Sequence, residues 1–380
     1  MTARRAAWSL VVVLGLGLIG TCLYSLSSAG SGSESRFSGG PMLQRGDADG
    51  KTEIYVVWRT AEESDSVVSY RSSDEHAWVL ASDAGPTRYH AVKLTGLSPE
   101  KNYEYKAESG GKEIGGGWIY TLDSGGGFRF AVFGDSGSGS DNQYAVAKEI
   151  GTRNVDFILH TGDLIYPRGE DKDYLKQFYR PYRALIASSV FYPSIGNHDF
   201  SGDGGSPWMK NFVLPGKERY YHFDYSNADF IALDSNNIND ESVEWLDQEL
   251  AKCNKTWKFV YFHHPPFSNA AGRNGPRGGN NAARDRWMPL LAKHRVDVVF
   301  CGHDHLYTRF KKREGGPVLI VEGCGGKSLY KTVPSDEVQV TDTENYGFGL
   351  VDVQGEILYF RHITADGKEL DSFSINKEAK

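Results

Sequence analysis

Five short motifs carry most of the side chains in this chain that could do chemistry. In chain order they are GDSG at residues 134–137, GDLIY at 162–166, GNHD at 196–199, VYFH at 260–263 and GHDH at 302–305. Each motif follows or contains an apolar run that is typical of a buried strand. Polar side chains at the ends of neighbouring strands meet at one edge of a sheet, so the five motifs predict a single site.

The motifs supply oxygen and nitrogen donors and no thiolate, which favours iron, zinc or manganese over a soft-metal centre. The donors are Asp135, Asp163, Asn197, His263, His303 and His305. An Asp on a tight glycine-flanked loop can turn both carboxylate oxygens outward, so Asp163 is the expected bridge between two metals. A metal pair activates a hydroxide and clamps phosphoryl oxygens for in-line displacement, so the pattern predicts a phosphoesterase.

The order and identity of the motifs resemble the calcineurin-like metallophosphoesterase superfamily, and Tyr166 in GDLIY narrows the resemblance to the purple acid phosphatases. The resemblance extends from residue 128 to about residue 375. It implies one metal held by Asp135, Asp163, Tyr166 and His305, and another held by Asp163, Asn197, His263 and His303. A phenolate ligand favours Fe(III) in the first site, and the second suits Zn(II), Mn(II) or Fe(II).

The resemblance also implies residues that handle the substrate. His198 is similar to a histidine that contacts phosphate and assists the leaving group, which general acid catalysis can exploit. Asn197 is expected beside it on the substrate side. His264 adjoins a predicted ligand, and its side chain either assists catalysis or points away from the metals.

The loop of residues 267–281 departs from the family pattern, because several relatives carry a substrate-facing histidine there and this chain has none. Arg273, Asn274 and Arg277 are the available replacements, and the two arginines are the candidate substrate contacts. Either arginine can bind a phosphate through two parallel hydrogen bonds or remain a solvated surface charge.

The composition limits the choice of partners. The chain has 380 residues and a formal net charge of -7, so it presents no basic surface for nucleic acid beyond a possible nucleotide substrate. Cys253, Cys301 and Cys324 follow the N-terminal segment, an odd number without a CxxC spacing, which indicates neither a disulfide framework nor a zinc ribbon.

The first 29 residues predict an export signal, because Arg4 and Arg5 precede an uncharged run over residues 6–26. This segment is either a cleaved signal peptide or a membrane anchor, and it is the only expected membrane contact. Residues 30–45 read as a Gly/Ser-rich linker. The folded body is therefore expected to be secreted, periplasmic or anchored outside the cytoplasm.

Two folded domains are predicted after the linker. Residues 46–124 show period-two β patterning and resemble a fibronectin type III domain. In residues 125–376 strands alternate with helical patterns at 144–152, 171–188, 241–252 and 282–294, with Asp240 as the expected N-cap of the third. This alternation predicts an α/β metallophosphoesterase fold of four layers, a β-sandwich flanked by helices, with the later strands antiparallel in a second sheet.

The combined prediction is an exported phosphatase that hydrolyses phosphomonoesters by attack of a metal-bound hydroxide. A phosphodiesterase or nucleotidase on the same metal core is the alternative, because the loops that set substrate size are not positioned by the sequence. A non-catalytic surface-binding protein is the third interpretation. The physiological ester and the oligomeric state stay open.

Overall fold

The computed structural model describes residues 37–46, 53–121, 127–216 and 219–377. The predicted signal or anchor lies outside these residues, and so does the linker up to residue 36. The rest of the predicted linker is instead a strand, β1 (Phe37–Gln44). Met42 and Leu43 are buried in the core, and this burial holds the segment in the fold. In the described part of the chain, no helix is both long and apolar enough to span a membrane.

The N-terminal part is one bent antiparallel sheet of five strands. The other four strands are β2 (Ile54–Ser72), β3 (Val79–Leu94), β4 (Asn102–Ser109) and β5 (Lys112–Tyr120). The long strand β2 pairs with β3 on one side, and with β1 and then β4 on the other. A fibronectin type III domain packs two sheets, so the resemblance proposed for residues 46–124 is not confirmed by this pairing.

The C-terminal part, from residue 127 onward, contains two larger sheets. The six-stranded sheet has the order β20-β19-β18-β6-β7-β8 and the seven-stranded sheet the order β17-β15-β16-β14-β11-β10-β9. The first eight strands of this part are β6 (Phe128–Phe133), β7 (Phe157–His160), β8 (Val190–Pro193), β9 (Tyr221–Tyr225), β10 (Ala228–Ala232), β11 (Trp257–Tyr261), β12 (Ala271–Gly272) and β13 (Gly275–Pro276). The remainder are β14 (Val298–Cys301), β15 (Tyr307–Phe310), β16 (Val318–Glu322), β17 (Val338–Asp342), β18 (Gly347–Gln354), β19 (Ile357–Thr364) and β20 (Glu369–Asn376).

The expectation that the later strands are antiparallel holds only in part for β16, which pairs antiparallel with β15 but parallel with β14. This strand lies parallel to β14 in the seven-stranded sheet, whereas β18 and β19 form an antiparallel pair in the six-stranded sheet. All five residues of β16 are buried, which is typical of a strand covered on both faces.

The helices are short. They are α1 (Asp141–Gly151), α2 (Arg180–Ile186), α3 (Asn197–Ser201), α4 (Ser206–Asn211), α5 (Asp240–Lys252) and α6 (Met288–Lys293). Of these, α1, α2, α5 and α6 stand close to predicted positions, whereas α3 and α4 were not predicted. A 3-10 turn and a π-helical turn precede α2, and another π-helical turn precedes α6. Proline lacks an N–H, so Pro181 and Pro289 cannot continue a regular α-helix from the preceding turn.

The N-cap of α5 is Asn239 rather than Asp240. The Asn239 side chain accepts a hydrogen bond from the Ser242 backbone N–H at 2.8 Å, which satisfies one of the unpaired donors of the first turn. Asp240 instead lies in that first turn, where its charge complements the helix dipole.

The two large sheets pack face to face through aromatic side chains. Phe130 of β6 contacts Phe259 of β11 edge-on at 5.4 Å between ring centroids. The next residue along β11, Val260, points the opposite way and packs with Leu246 and Leu250 of α5. On the other side, Tyr182 of α2 packs against the six-stranded sheet. Helices therefore cover both outer faces of the sandwich.

The N-terminal sheet is joined to the C-terminal part by buried hydrogen bonds. The Gln44 side chain donates to the Phe191 carbonyl at 2.6 Å and accepts from the Val213 N–H at 2.9 Å. The Tyr105 hydroxyl donates to the Ala187 carbonyl at 2.9 Å. The described residues thus form one compact unit.

Candidate metal centre

Five of the seven predicted metal donors lie just beyond strand ends. Asp135 follows β6, Asp163 follows β7 and Asn197 follows β8. In the facing sheet, His263 follows β11, and His303 follows β14. Because the strands of each group run parallel, their carboxyl ends meet at one edge of the sandwich and bring the five motif loops together.

Three of these donors have an unusual backbone conformation. Asp135, Asp163 and His303 have φ angles of 54°, 58° and 69°, in the left-handed region that most side chains avoid. Strained backbone of this kind persists only where the surrounding structure holds it, and it concentrates at functional sites. The strain points the three side chains toward the shared edge.

The motif glycines allow the loops to pack closely. A Cβ on Gly162 would lie 2.7 Å from His263 Nδ1, and a Cβ on Gly196 would lie 2.1 Å from Asp163 Oδ1. Any side chain at these positions would displace a metal donor, which explains why the motifs need glycine.

The first donor group consists of Asp135, Tyr166 and His305. The Tyr166 hydroxyl lies 3.1 Å from both Asp135 Oδ1 and His305 Nε2, and the latter two atoms are 3.4 Å apart. Burial and the neighbouring Asp135 raise the pKa of Tyr166 well above its ordinary value. Tyr166 can therefore become a phenolate here only beside a strong Lewis acid.

The second donor group consists of Asp163, Asn197, His263 and His303. His263 Nε2 lies at its centre, 3.3 Å from Asp163 Oδ2, 3.1 Å from Asn197 Oδ1 and 3.2 Å from His303 Nδ1. Donor atoms of Asp135, Asp163 and His263 also lie within 4.8 Å of one another. Asp163 therefore stands between the two groups.

The protonation of the imidazoles makes both groups suitable for cations. His263 Nδ1 donates to the Thr161 carbonyl at 2.9 Å, and His305 Nδ1 donates to the Ser328 carbonyl at 2.8 Å. Each Nε2 then faces a carboxylate, that of Asp163 for His263 and that of Asp135 for His305. Burial lowers the pKa of His263, but the Asp163 and Asp135 carboxylates outweigh it and raise this pKa to about 9, so the position favours a positive charge. Carbonyl partners on Nδ1 are typical of metal-ligating histidines.

His198 and His264 both stand beside the donor groups. His198 Nδ1 donates to the Pro167 carbonyl, and its Nε2 lies 4.0 Å from Asp163 Oδ2. The His264 ring packs 4.3 Å from the His303 ring, and its Nδ1 lies 2.8 Å from Ser235 Oγ. Burial lowers the pKa of His264 to about 3, so its ring is neutral.

The structure separates the two arginines of the 267–281 loop. Arg277 Nη2 donates to His303 Nε2 at 2.7 Å, and Arg277 Nε lies 3.3 Å from Asp304 Oδ1. Arg273 is exposed in the turn between β12 and β13, and no contact between it and the donor groups is seen among the described residues. Only Arg277 is brought to the site.

Sequence reasoning missed two groups of residues. Lys327 and Tyr330 lie on the loop after β16: the Lys327 ammonium sits 4.5 Å from the centre of the Tyr166 ring, and Tyr330 stacks on His305. The run GCGGKS at residues 323–328, a glycine-rich loop after a buried strand, was the available signal.

Asp199, the last residue of GNHD, was also left without a role. It is fully buried and accepts backbone N–H bonds from Gly196, Leu164 and Ile165. These bonds tie the second motif loop to the third. Asp199 thus positions the loops that carry Asp163 and Asn197.

Comparison with known protein families identifies the kind of domain that carries this site. The calcineurin-like phosphoesterase family matches residues 128–307, the segment that contains all five motifs. The chain therefore contains a calcineurin-like phosphoesterase domain, the domain of a metal-dependent phosphoesterase.

Purple acid phosphatases are among the homologues of this chain. Purple acid phosphatase 17 of Arabidopsis thaliana is 27% identical over 248 residues, which are 56% of this chain and 72% of the relative. Purple acid phosphatase 22 of the same plant is 27% identical over 263 residues, 63% of this chain and 59% of the relative. The purple acid phosphatase PPD1 from yellow lupin seeds superimposes with a TM-score of 0.77 at 20% identity, covering 88% of this chain and 74% of that one.

Proposed function

We propose that this chain is an exported phosphatase with a binuclear metal centre that hydrolyses phosphomonoesters. The observation that carries the proposal is the pair of donor groups that meet at Asp163. Each group gathers carboxylate, imidazole and phenol or amide donors within a few ångströms, and a donor atom of Asp163 lies within 4.8 Å of Asp135 in the first group and of His263 in the second. One shared carboxylate between two such groups is the arrangement that a two-metal site requires.

The first group is proposed to hold Fe(III) and the second Zn(II), Mn(II) or Fe(II). The support is chemical: the first group contains Tyr166, whose phenol ionises only beside a strongly acidic metal, and the second contains the neutral amide of Asn197. Replacing Tyr166 with Phe is expected to abolish the visible charge-transfer absorption of the iron-loaded protein. A band of unchanged intensity in Tyr166→Phe would contradict the assignment of iron to this group.

A bound metal pair would supply an activated water and neutralise charge on the phosphoryl oxygens. The surrounding side chains are proposed to do the rest. Asn197 and Arg277 bind and orient the phosphate, and Arg277 can do so with two parallel hydrogen bonds. The carbonyl of Pro167 holds the His198 ring so that Nε2 faces Asp163, where a protonated His198 can deliver a proton to the leaving oxygen. The neutral ring of His264 is proposed to assist from the opposite side.

The substrate preference is tested by comparing a chromogenic phosphomonoester with its diester counterpart. The full chain, loaded with iron plus zinc or manganese, is expected to hydrolyse the monoester faster. Faster turnover of the diester would move the assignment to a phosphodiesterase or nucleotidase on the same metal core. Absence of turnover by fully metal-loaded protein would instead favour a non-catalytic binding protein.

The export part of the proposal rests on residues 1–29, which have the charge pattern of a signal segment. The mature protein is expected outside the cytoplasm, either released or retained by this segment. Mass spectrometry of the protein isolated from its native host distinguishes the two forms, since cleavage after residue 29 removes the apolar run. A full-length protein found in the cytoplasmic fraction would contradict export.

A further inference from the structure

A second cluster of metal-type donors lies on the hairpin of β9 and β10, at the edge of the seven-stranded sheet. It consists of His222, Asp224 and Asp229, whose donor atoms lie within 4.8 Å of one another. We name it the hairpin cluster. His222 and Asp224 are two residues apart on β9, so they share a face, and Asp229 stands directly opposite Asp224 in the register of the two strands.

A cation would stabilise this arrangement further, because Lys255 contacts Asp224 and leaves the buried Asp229 carboxylate with His222 as its nearest charged partner. Like charges directly opposite on an antiparallel pair destabilise it, and Asp224 and Asp229 are such a pair. Asp229 is 3% exposed, and its Oδ1 atom accepts no hydrogen bond although it is buried. Burial raises the pKa of Asp229, which reflects the cost of holding its charge there.

The distances in the hairpin cluster fit metal coordination better than hydrogen bonding. His222 Nε2 lies 3.4 Å from Asp229 Oδ1 and 3.6 Å from Asp224 Oδ1. Four ligands at zinc distances of about 2.0–2.2 Å in a tetrahedron stand about 3.3–3.6 Å apart. The two separations from His222 Nε2 thus match the distance between neighbouring ligands of a zinc ion.

The neighbouring residues prepare the cluster for this role. Lys255 pairs with Asp224 Oδ2 at 3.0 Å and so leaves Oδ1 facing His222. Glu249 of α5 lies 3.8 Å from His222 Nδ1, on the side of the ring away from the cluster, where a carboxylate orients a metal-ligating histidine. The Cys253 thiol hydrogen-bonds to Asp229 and places a further donor beside the cluster.

From this geometry we infer that the hairpin cluster is a third metal site, one that binds Zn(II) for structural purposes and is separate from the catalytic centre. Imidazole with carboxylates suits zinc and not calcium or magnesium, which prefer oxygen ligands alone. A zinc ion here would tie the edge hairpin to the C-terminal end of α5, because Glu249 and Cys253 belong to that end.

The inference is tested by titrating Zn(II) into the full chain after its catalytic centre has been loaded with metal and free metal removed. Wild type is expected to bind one further equivalent. His222→Gln and Asp229→Asn are expected to lose that equivalent, and Glu249→Gln to bind it about 10–100-fold more weakly, since it removes only the orienting carboxylate. The matched control is His76→Gln, an exposed histidine of the N-terminal sheet region, which is expected to bind as wild type does.

Thermal unfolding gives a second readout. Zinc is expected to raise the unfolding temperature of wild type and of His76→Gln but not of Asp229→Asn, and near-UV circular dichroism shows that each variant is folded. The inference is overturned if wild type takes up no further zinc, or if His222→Gln takes up as much as wild type. Neither readout depends on phosphoester turnover, so a failure of the proposed enzymatic function would be seen separately.

Discussion

Arg277 and Arg273 belong to the same glycine-rich loop, yet only Arg277 reaches the donor groups. It donates to His303 Nε2, the nitrogen opposite the one that faces His263. When His303 Nδ1 serves as a ligand, its proton stays on Nε2, and Arg277 then loses this acceptor. The guanidinium would therefore be free to bind a phosphate once a metal occupied the second donor group.

Arg277→Met is therefore expected to raise KM for a phosphomonoester by about 10–100-fold, because a hydrogen bond to a charged group contributes about 1.5–3 kcal/mol. The effect on kcat should be smaller. The matched control is Arg273→Met, which removes the same charge from the same loop and is expected to leave both constants unchanged. Equal effects of the two substitutions would indicate a general electrostatic role for the loop and exclude a specific contact.

Among the donor residues, Asp163 is the one whose replacement is expected to reduce kcat/KM most. Asp163→Asn keeps the shape of the side chain but removes the charge that both donor groups share. We expect kcat/KM to fall by more than about 100-fold, the upper range for residues that only orient a ligand. Steady-state kinetics and metal content measure the loss, with the exposed Asp203→Asn as the control. Full turnover with one metal per chain would contradict a shared role for Asp163.

At the scale of the secondary-structure elements, the N-terminal sheet contains a buried histidine that can gain a proton. His90 of β3 is fully buried, stacks on Trp58 and lies 2.8 Å from the hydroxyls of Thr60 and Ser66. Burial lowers the pKa of His90 to about 4, from an ordinary value of 6.5. The folded sheet thus keeps this ring neutral in a pH range where the unfolded chain would protonate it.

Stability is expected to decrease as the pH falls from about 6.5 to about 4, because the unfolded state then binds a proton that the folded state excludes. The contribution of His90 is about 1–3 kcal/mol, fully present above pH 6.5. Urea unfolding of wild type and His90→Gln at pH 7.5 and pH 4.5 checks this. The variant should show a weaker dependence on pH, while His76→Gln should follow wild type. Parallel pH profiles for wild type and His90→Gln would show that His90 does not cause the pH dependence of stability.

At the scale of the whole molecule, the N-terminal sheet and the C-terminal part are expected to unfold together. Gln44 satisfies both a carbonyl and an N–H of the C-terminal part from within the N-terminal sheet. Gln44→Leu would leave both groups buried without partners, at a cost of about 1–3 kcal/mol each. Phosphatase activity should then be lost at a temperature several degrees lower, although Gln44 is not a site residue.

Circular dichroism and residual activity, followed on the same heated samples, measure this coupling. The control is Gln248→Leu, on the exposed surface of α5, which should behave as wild type. Two separate transitions, with activity unaffected by Gln44→Leu, would show that the two parts are independent domains.

Much of the fold and site followed from local patterns. Alternation along Ile54, Val56 and Trp58 predicted β structure, and these side chains are buried. The motif loops follow the strands that their apolar runs indicated. β1 was assigned to the linker because its two glycines and one serine are typical of a linker. Its pairing with β2 depends on residues further along the chain. The parallel placement of β16 likewise depends on β14, a partner that periodicity does not specify.

By itself, the sequence determined which atoms could bind metals, since donor type and glycine spacing are local properties of the five motifs. Only the tertiary structure decided which side chains meet: Arg277 but not Arg273 reaches the donor groups, and Lys327 comes to lie over Tyr166. Asp229 stands opposite Asp224 through strand register alone. The physical reason is that chemistry is set by the identity of a side chain, whereas proximity between residues distant in the chain is set by the packing of the sheets that carry them.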